Sequence, residues 1–409
     1  MQNIKSKLTT VAKLSPLAIA IGLASAPAHA DLLEEIATGV TEGKTKLSFR
    51  YRYEFVDQDG KDKDANASTL KSRITFTTAP IRDFVVGVEA DHVSEVGNDN
   101  FNSTENGKTE YPVVADPKGT DLNQAFLKYG GFESGTVTFG RQRIVHGSQR
   151  FMGGVAWRQN EQTYDGARVE YGFTDALSAD VSYIWNVNRI FGPDGADSDL
   201  HGNIGAARLT YDAGAIGKFT AYDYYLDFDN NDGLSSNTIG IEYAGGYALS
   251  DTTKLGLKAA YAMQEDTGDN PNSYEADYYT VEGSVKFAPV SVSVGYEVLG
   301  ADDGVSFKTP LATLHKFQGF ADKFLVTPPD GIQDTYIKVA GAVAGVKLAA
   351  FYHDFQSDEG STDYGTEIDL VASYKINKHF GVLAKYASYD ADDHATDTDK
   401  VWLQLTANF

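Results

Sequence analysis

Period-two alternation of apolar and polar residues runs through 18 segments of this chain, at 44–55, 68–78, 84–93, 122–129, 135–143, 163–172, 177–188, 203–211, 218–227, 237–244, 254–263, 275–287, 290–299, 334–342, 346–355, 364–376, 380–389 and 400–409. Such a pattern gives a strand one apolar and one polar face. In the segment 290–299, Val290, Val292, Val294, Tyr296 and Val298 alternate with Ser291, Ser293, Gly295 and Glu297. Half-apolar strands joined without helices must either close on themselves or stack on a second sheet, because open edges invite pairing with other chains. The connections choose between these. Short ones such as 79–83, 173–176, 288–289 and 377–379 alternate with long ones such as 94–121, 144–162, 189–202 and 300–333, giving nine long and eight short. Turns on one side and loops on the other are the asymmetry of a membrane-spanning barrel, and a Greek-key sandwich has no reason to keep that parity. The expected fold is therefore all-β, a transmembrane antiparallel up-and-down β-barrel of 18 strands, with both termini on the periplasmic side.

Both ends of the chain agree with this. The last ten residues, KVWLQLTANF, set Val401, Leu403, Leu405, Ala407 and Phe409 on one face and Trp402, Gln404, Thr406 and Asn408 on the other. A strand of about ten residues with one lipid face and one lumen face can cross a bilayer when tilted. A terminal Phe409 matches the address by which such barrels reach their assembly machinery. At the other end, Lys5, Lys7 and Lys13 precede an apolar run from Leu17 to Ala26 and the small-x-small site Ala28-His29-Ala30. That is a secretory signal peptide over residues 1–30, cleaved before Asp31; its apolar run is too short to span. Residues 31–43 then form a short periplasmic N-terminal segment, and 44–409 the barrel. No linker or change of composition divides the 379 residues that remain.

Without the three leader lysines, 32 basic and 57 acidic residues leave a mature charge of −25, which suggests no nucleic-acid partner. The chain has no cysteine, so thiolate redox and thiolate zinc chemistry are excluded. Its many Tyr and Phe residues suit interfacial girdles. Lipid and lipopolysaccharide are the expected surroundings.

One segment departs from the acidic background. GRQRIVHGSQRFMGGVAWRQNEQTYDG, from Gly140 to Gly166, clusters Arg141, Arg143, Arg150 and Arg158 beside Gly147, Gly153 and Gly154. Guanidinium groups grip carboxylates and phosphates bidentately, and charged loops folded into a lumen set selectivity. Arg143, Arg150 and Arg158 are accordingly expected to line a constriction. Alternation further directs Arg50, Arg52, Arg73, Arg168, Glu170 and Arg208 into the lumen. Across all strands the inward bases lead the inward acids twelve to ten, which predicts a lumen that prefers anions although the whole chain is acidic.

Four stretches, GKTKLSFRYRYE (Gly43–Glu54), TLKSRITF (Thr69–Phe76), FGRQRI (Phe139–Ile144) and WRQNEQTYDG (Trp157–Gly166), resemble the alginate-export-like outer-membrane channels. The resemblance covers the first third of the mature chain. It implies an 18-stranded barrel with an arginine-rich lumen, acting as a porin-like channel for small hydrophilic solutes, with sugar acids or oligosaccharides such as alginate among the candidates.

No covalent chemistry is expected. The histidines show no metal-ligand spacing, no GxSxG element surrounds a nucleophile, and the tract DFDNNDG (Asp227–Gly233) places its glycine one position late for a calcium loop. The expected protein has no catalytic residue, metal or cofactor. The competing classes are a barrel enzyme of lipase or protease type, which lacks a catalytic constellation here, and a receptor or adhesin that only displays its loops.

Overall fold

The computed structural model describes residues 30–409; the expected leader, apart from Ala30, lies outside them. The chain closes into a single ring of 18 antiparallel strands. These are β1 (Lys44–Gln58), β2 (Ala65–Thr77), β3 (Phe84–Asn100), β4 (Gly119–Phe132), β5 (Gly135–Gln142), β6 (Thr163–Gly172), β7 (Leu177–Asn188), β8 (Asp199–Asp212), β9 (Lys218–Phe228), β10 (Ser236–Ala248), β11 (Thr253–Asp266), β12 (Glu275–Phe287) and β13 (Val290–Leu299). After a loop that carries the two-residue strands β14 (Ala301–Asp302) and β15 (Val305–Ser306), the ring continues with β16 (Ile332–Val343), β17 (Val346–Gln356), β18 (Asp363–Lys375), β19 (Phe380–Ala391) and β20 (Thr398–Asn408).

Closure is made by β1 against β20, with Ser48 opposite Asn408 and Gln58 opposite Thr398. It removes both free edges, so every strand of the ring has two hydrogen-bonded neighbours. Alternation decides the faces. Val292, Val294, Leu403 and Leu405 are exposed on the outer surface, whereas Glu297 and Gln404 point inward and are engaged there by Gln318 and Arg52. Tyr225, Tyr261, Tyr279 and Tyr352 stand outside towards the long-loop end, and Tyr171, Tyr211, Phe219 and Phe287 outside towards the short-turn end. These rings bound an apolar belt, as a bilayer-spanning barrel requires.

Several strands extend past the expected limits at the long-loop end. β3 continues to Asn100, and a bulge in its pairing with β2 between Ala67 and Thr69 absorbs the irregular register there. The segment before β1 forms a helix, α1 (Ala30–Thr41), that docks on the short turn between β2 and β3. Ala79 N–H donates to the Gly39 carbonyl at 2.9 Å, and a Cβ at Gly39 would overlap Ile81. Glycine is what permits that approach.

Candidate functional site in the lumen

The largest apolar core of this barrel lies inside its lumen. Ile144 and Met152 from the connection 143–162, and Phe307, Leu311, Ala321 and Phe324 from the connection 300–331, pack with inward wall residues such as Tyr224, Tyr278, Phe355 and Trp402. Water-filled barrels have a polar interior. An apolar core there means that the two loops occupy part of the cross-section.

The loop 143–162 makes a circuit of the wall. It leaves β5, where Arg143 Nε donates to Glu161 at 2.6 Å and its Nη2 bonds Glu89. His146 then reaches Tyr224 at 3.1 Å and Asp180 at 3.2 Å. Gly147, with φ of 48°, passes over the Arg208–Glu242 pair so closely that a Cβ would lie 3.0 Å from the guanidinium. Arg150 Nε lies 3.2 Å from Glu297 on β13, under the ring of Phe317. Trp157 sits beneath the Arg52 guanidinium, 4.0 Å from its ring centroid, at the β1–β20 seam. Arg158 meets Glu54 at 3.2 Å and Asp322 at 3.4 Å. Arg50 takes up the Gln159 side chain at 3.0 Å and the Ala156 carbonyl at 2.7 Å. Glu161 closes the circuit against Arg73 at 2.8 Å.

The second loop interlocks with the first. Gly153 N–H donates to the Leu311 carbonyl at 2.9 Å, and Thr313 Oγ1 donates to Gln149 Oε1 at 2.7 Å. His315 Nδ1 pairs with Asp322 at 2.7 Å, and its Nε2 contacts Lys385 at 2.7 Å. The backbone N–H of Ala321 donates to Glu367 at 2.7 Å. A third loop contributes Asp116, which accepts the Gln159 N–H at 2.7 Å.

Electrostatics explain why charged loops stay inside. Burial works against the charge of Glu161, but Lys71, Arg73 and Arg143 outweigh it and hold the carboxyl well below its usual range. Burial likewise opposes the Arg158 charge, and Glu54, Asp116 and Asp322 outweigh it. Burial drives the His315 imidazole down to about 3.

All three loop arginines singled out from sequence lie inside the ring, in different settings. Arg150 and Arg158 are buried in ion pairs, whereas the Arg143 side chain keeps 31% of its surface exposed. Arg50, Arg52, Arg73, Arg168, Glu170 and Arg208 project inward on their strands, and each is engaged by the wall or the loops. Sequence reasoning counted the connection 300–333 among the long outer loops and missed that it folds into the lumen. Its signal was present as Phe307, Phe317, Phe320 and Phe324, an aromatic density unlike that of a solvated loop.

Neutralisation of the inward charges is uneven. Glu54, Glu89, Asp91, Glu170, Asp180, Glu242, Glu282 and Glu297 each form an ion pair. Glu367 and Asp369 accept backbone N–H groups from the second loop. Lys128, Lys286, Lys338, Lys347 and Lys375 also face inward by register, and none of them forms an ion pair among the described residues.

Residues 44–311 match the family described as Alginate export. No curated protein matches the sequence. Among solved structures, Acinetobacter baumannii OccAB4 is similar at 16% identity, over 91% of this chain and 99% of that one, with a TM-score of 0.71. Pseudomonas aeruginosa OccD3 (OpdP) is similar at 14% identity, over 90% and 92%, with a TM-score of 0.70. Pseudomonas aeruginosa OpdK, solved with vanillate, is similar at 12% identity, over 90% and 99%, with a TM-score of 0.72.

Proposed function

From the premise that this chain belongs to the alginate-export family, we propose that it is a passive outer-membrane channel for small hydrophilic anions. One observation carries the choice of sign. The inward carboxylates are engaged by the wall or the loops, while inward lysines are left without counter-charges. In a narrow, low-dielectric passage such local charges outweigh a distant net charge of opposite sign. The acids of the outer loops are screened beyond about 8 Å at physiological ionic strength.

In this reading the loop 143–162 forms the constriction. Arg143 faces the solute, and Arg150 and Arg158 hold the loop to the wall. The short turns and both termini lie in the periplasm, with residues 1–30 removed on export. Phe409 serves recognition by the barrel-assembly machinery, and the outer loops meet lipopolysaccharide. Sugar acids and oligosaccharides such as alginate fit the anionic class, as do small carboxylates of the vanillate type that OpdK was solved with. No step of this passage needs a bond made or broken, so no enzymatic role is assigned. The reversal potential of purified channels under a potassium chloride gradient tests the sign. Anion selectivity at low and high salt is expected, and cation selectivity at both would overturn it.

A further inference from the structure

Below the folded-in loop, towards the short-turn end, a cavity of about 540 Å³ opens against β4 to β8. Its wall carries Lys128, Thr136, Glu170, Asp180 and Arg208, and its roof is Val145 with His146. A volume of this order holds a small solute.

Its charges do not cancel locally. The Arg168 guanidinium is shared by two carboxylates, Asp180 at 2.6 Å and Glu170 at 3.0 Å, so one acid is in excess there. Asp180 takes the shorter contact and also the His146 imidazole, which leaves Glu170, with 42% of its side chain exposed, as the acid that faces the opening. Arg208 is matched by Glu242. Lys128 has no carboxylate partner among the described residues.

One excess cation and one excess anion therefore share a cavity. Lys128 and Arg168 lie in one register row across β4, β5 and β6, with Glu170 two residues nearer the short turns. Two strand spacings of about 4.8 Å across and two residue rises of about 3.3 Å along put the Lys128 and Glu170 backbones about 12 Å apart, with both side chains pointing inward. A charge-assisted hydrogen bond of about 2.8 Å at each end leaves room between the head groups for a small molecule bearing both signs.

We propose that this cavity is a docking site for dipolar solutes of the amino-acid type, with the carboxylate on Lys128 and the ammonium on Glu170. Val145 covers the carbon skeleton, and Thr136, whose hydroxyl donates to Glu170 at 3.4 Å, steadies the carboxylate that takes the ammonium. The site goes beyond the anion reading but rests on the protein being an open channel. Net-neutral zwitterions are not repelled by a cationic constriction, so the two properties coexist.

The test is blocking of single channels of the full-length protein by L-glutamine, gluconate and glucose at equal concentration. Glutamine is expected to block the parent at least about tenfold more tightly than either of the others, and Lys128→Met and Glu170→Gln are each expected to weaken its block about tenfold, as loss of one charge-assisted contact does. Stronger block by gluconate would show a carboxylate site instead. Absence of glutamine block, or block insensitive to both substitutions, would remove the site. The parent measurement decides even if a variant does not fold, and a parent without unitary conductance would overturn the channel reading itself.

Discussion

Trp157 lies flat on His315, with ring centroids 4.5 Å apart and planes 5° from parallel, so an aromatic stack joins two loops that are distant in sequence. Lys385 approaches the same Trp157 ring to 4.2 Å, which ties the stack to β19. Removing the indole should release the loops without opening the ring of strands. We expect Trp157→Ala to weaken loop docking by about 3 kcal/mol, a typical cost for deleting a packed aromatic side chain. Unitary conductance should rise while thermal unfolding of the barrel stays near that of the parent. An unchanged conductance would show that the stack does not hold the loops.

Arg158 lies among three carboxylates, Glu54, Asp116 and Asp322, of which Asp116 also meets Arg52 and Asp322 also meets Lys400. Breaking a buried pair leaves its partners charged and unsatisfied, so Arg158→Met should cost about 3 to 5 kcal/mol of loop docking. Arg143→Ala should cost less, because that side chain is partly solvated, yet it should change ion preference more. Replacing Arg143, Arg150 and Arg158 together by Ala should widen the passage and admit larger solutes. Polymer-exclusion measurements of pore size check both expectations.

Loop docking should also depend on pH. Burial lowers the His315 imidazole to about 3, with Asp322 opposing and Lys385 reinforcing the shift. An undocked loop would titrate at the usual value of about 6.5. The undocked state binds more protons between these values, so this contribution is complete above about pH 6.5 and is lost as pH falls towards 3. Conductance should rise over that window, and His315→Gln should flatten the change. A parent trace that stays level from pH 7 to pH 3 would contradict the assignment.

Asp223 is an outward, exposed carboxylate on β9, set between Ala221 and the girdle residue Tyr225, opposite Ile239 and Ala207. Facing lipid, it has no gain to offset its desolvation. Asp223→Val should stabilise the barrel by roughly 1 to 2 kcal/mol, and Val294→Arg, a charge placed on the same belt, should cost about 2 to 4 kcal/mol. Denaturant titration in lipid vesicles measures both.

The wall was legible because lipid and lumen impose opposite demands on neighbouring residues. Where both faces are uniform, as along 163–172, 177–188, 275–287 and 290–299, the expected limits coincide with β6, β7, β12 and β13. Where β3 and β8 rise above the belt, both faces meet polar surroundings, alternation fades, and the strands run on to Asn100 and back to Asp199. The lumen was less legible. Clustered arginines pointed to the loop 143–162, but a side chain's exposure depends on which wall acid lies across the ring, and sequence distance carries no record of that. Arg158 reaches Glu54 across 104 positions, and Gln318 reaches Glu297 from a loop whose aromatic residues have no period at all.

The circuit of loop 143–162 has a mechanical consequence. Its anchors at β1, β2, β3, β7, β9 and β13 work as spokes between opposite arcs of a hoop. A hollow hoop of strands flattens under lateral load by shearing its hydrogen-bond rows. Flattening this one must first shorten or stretch ion pairs and a packed core that span its diameter. The contents of the lumen therefore set the roundness of the wall, and any change that empties the passage should also make the outline softer.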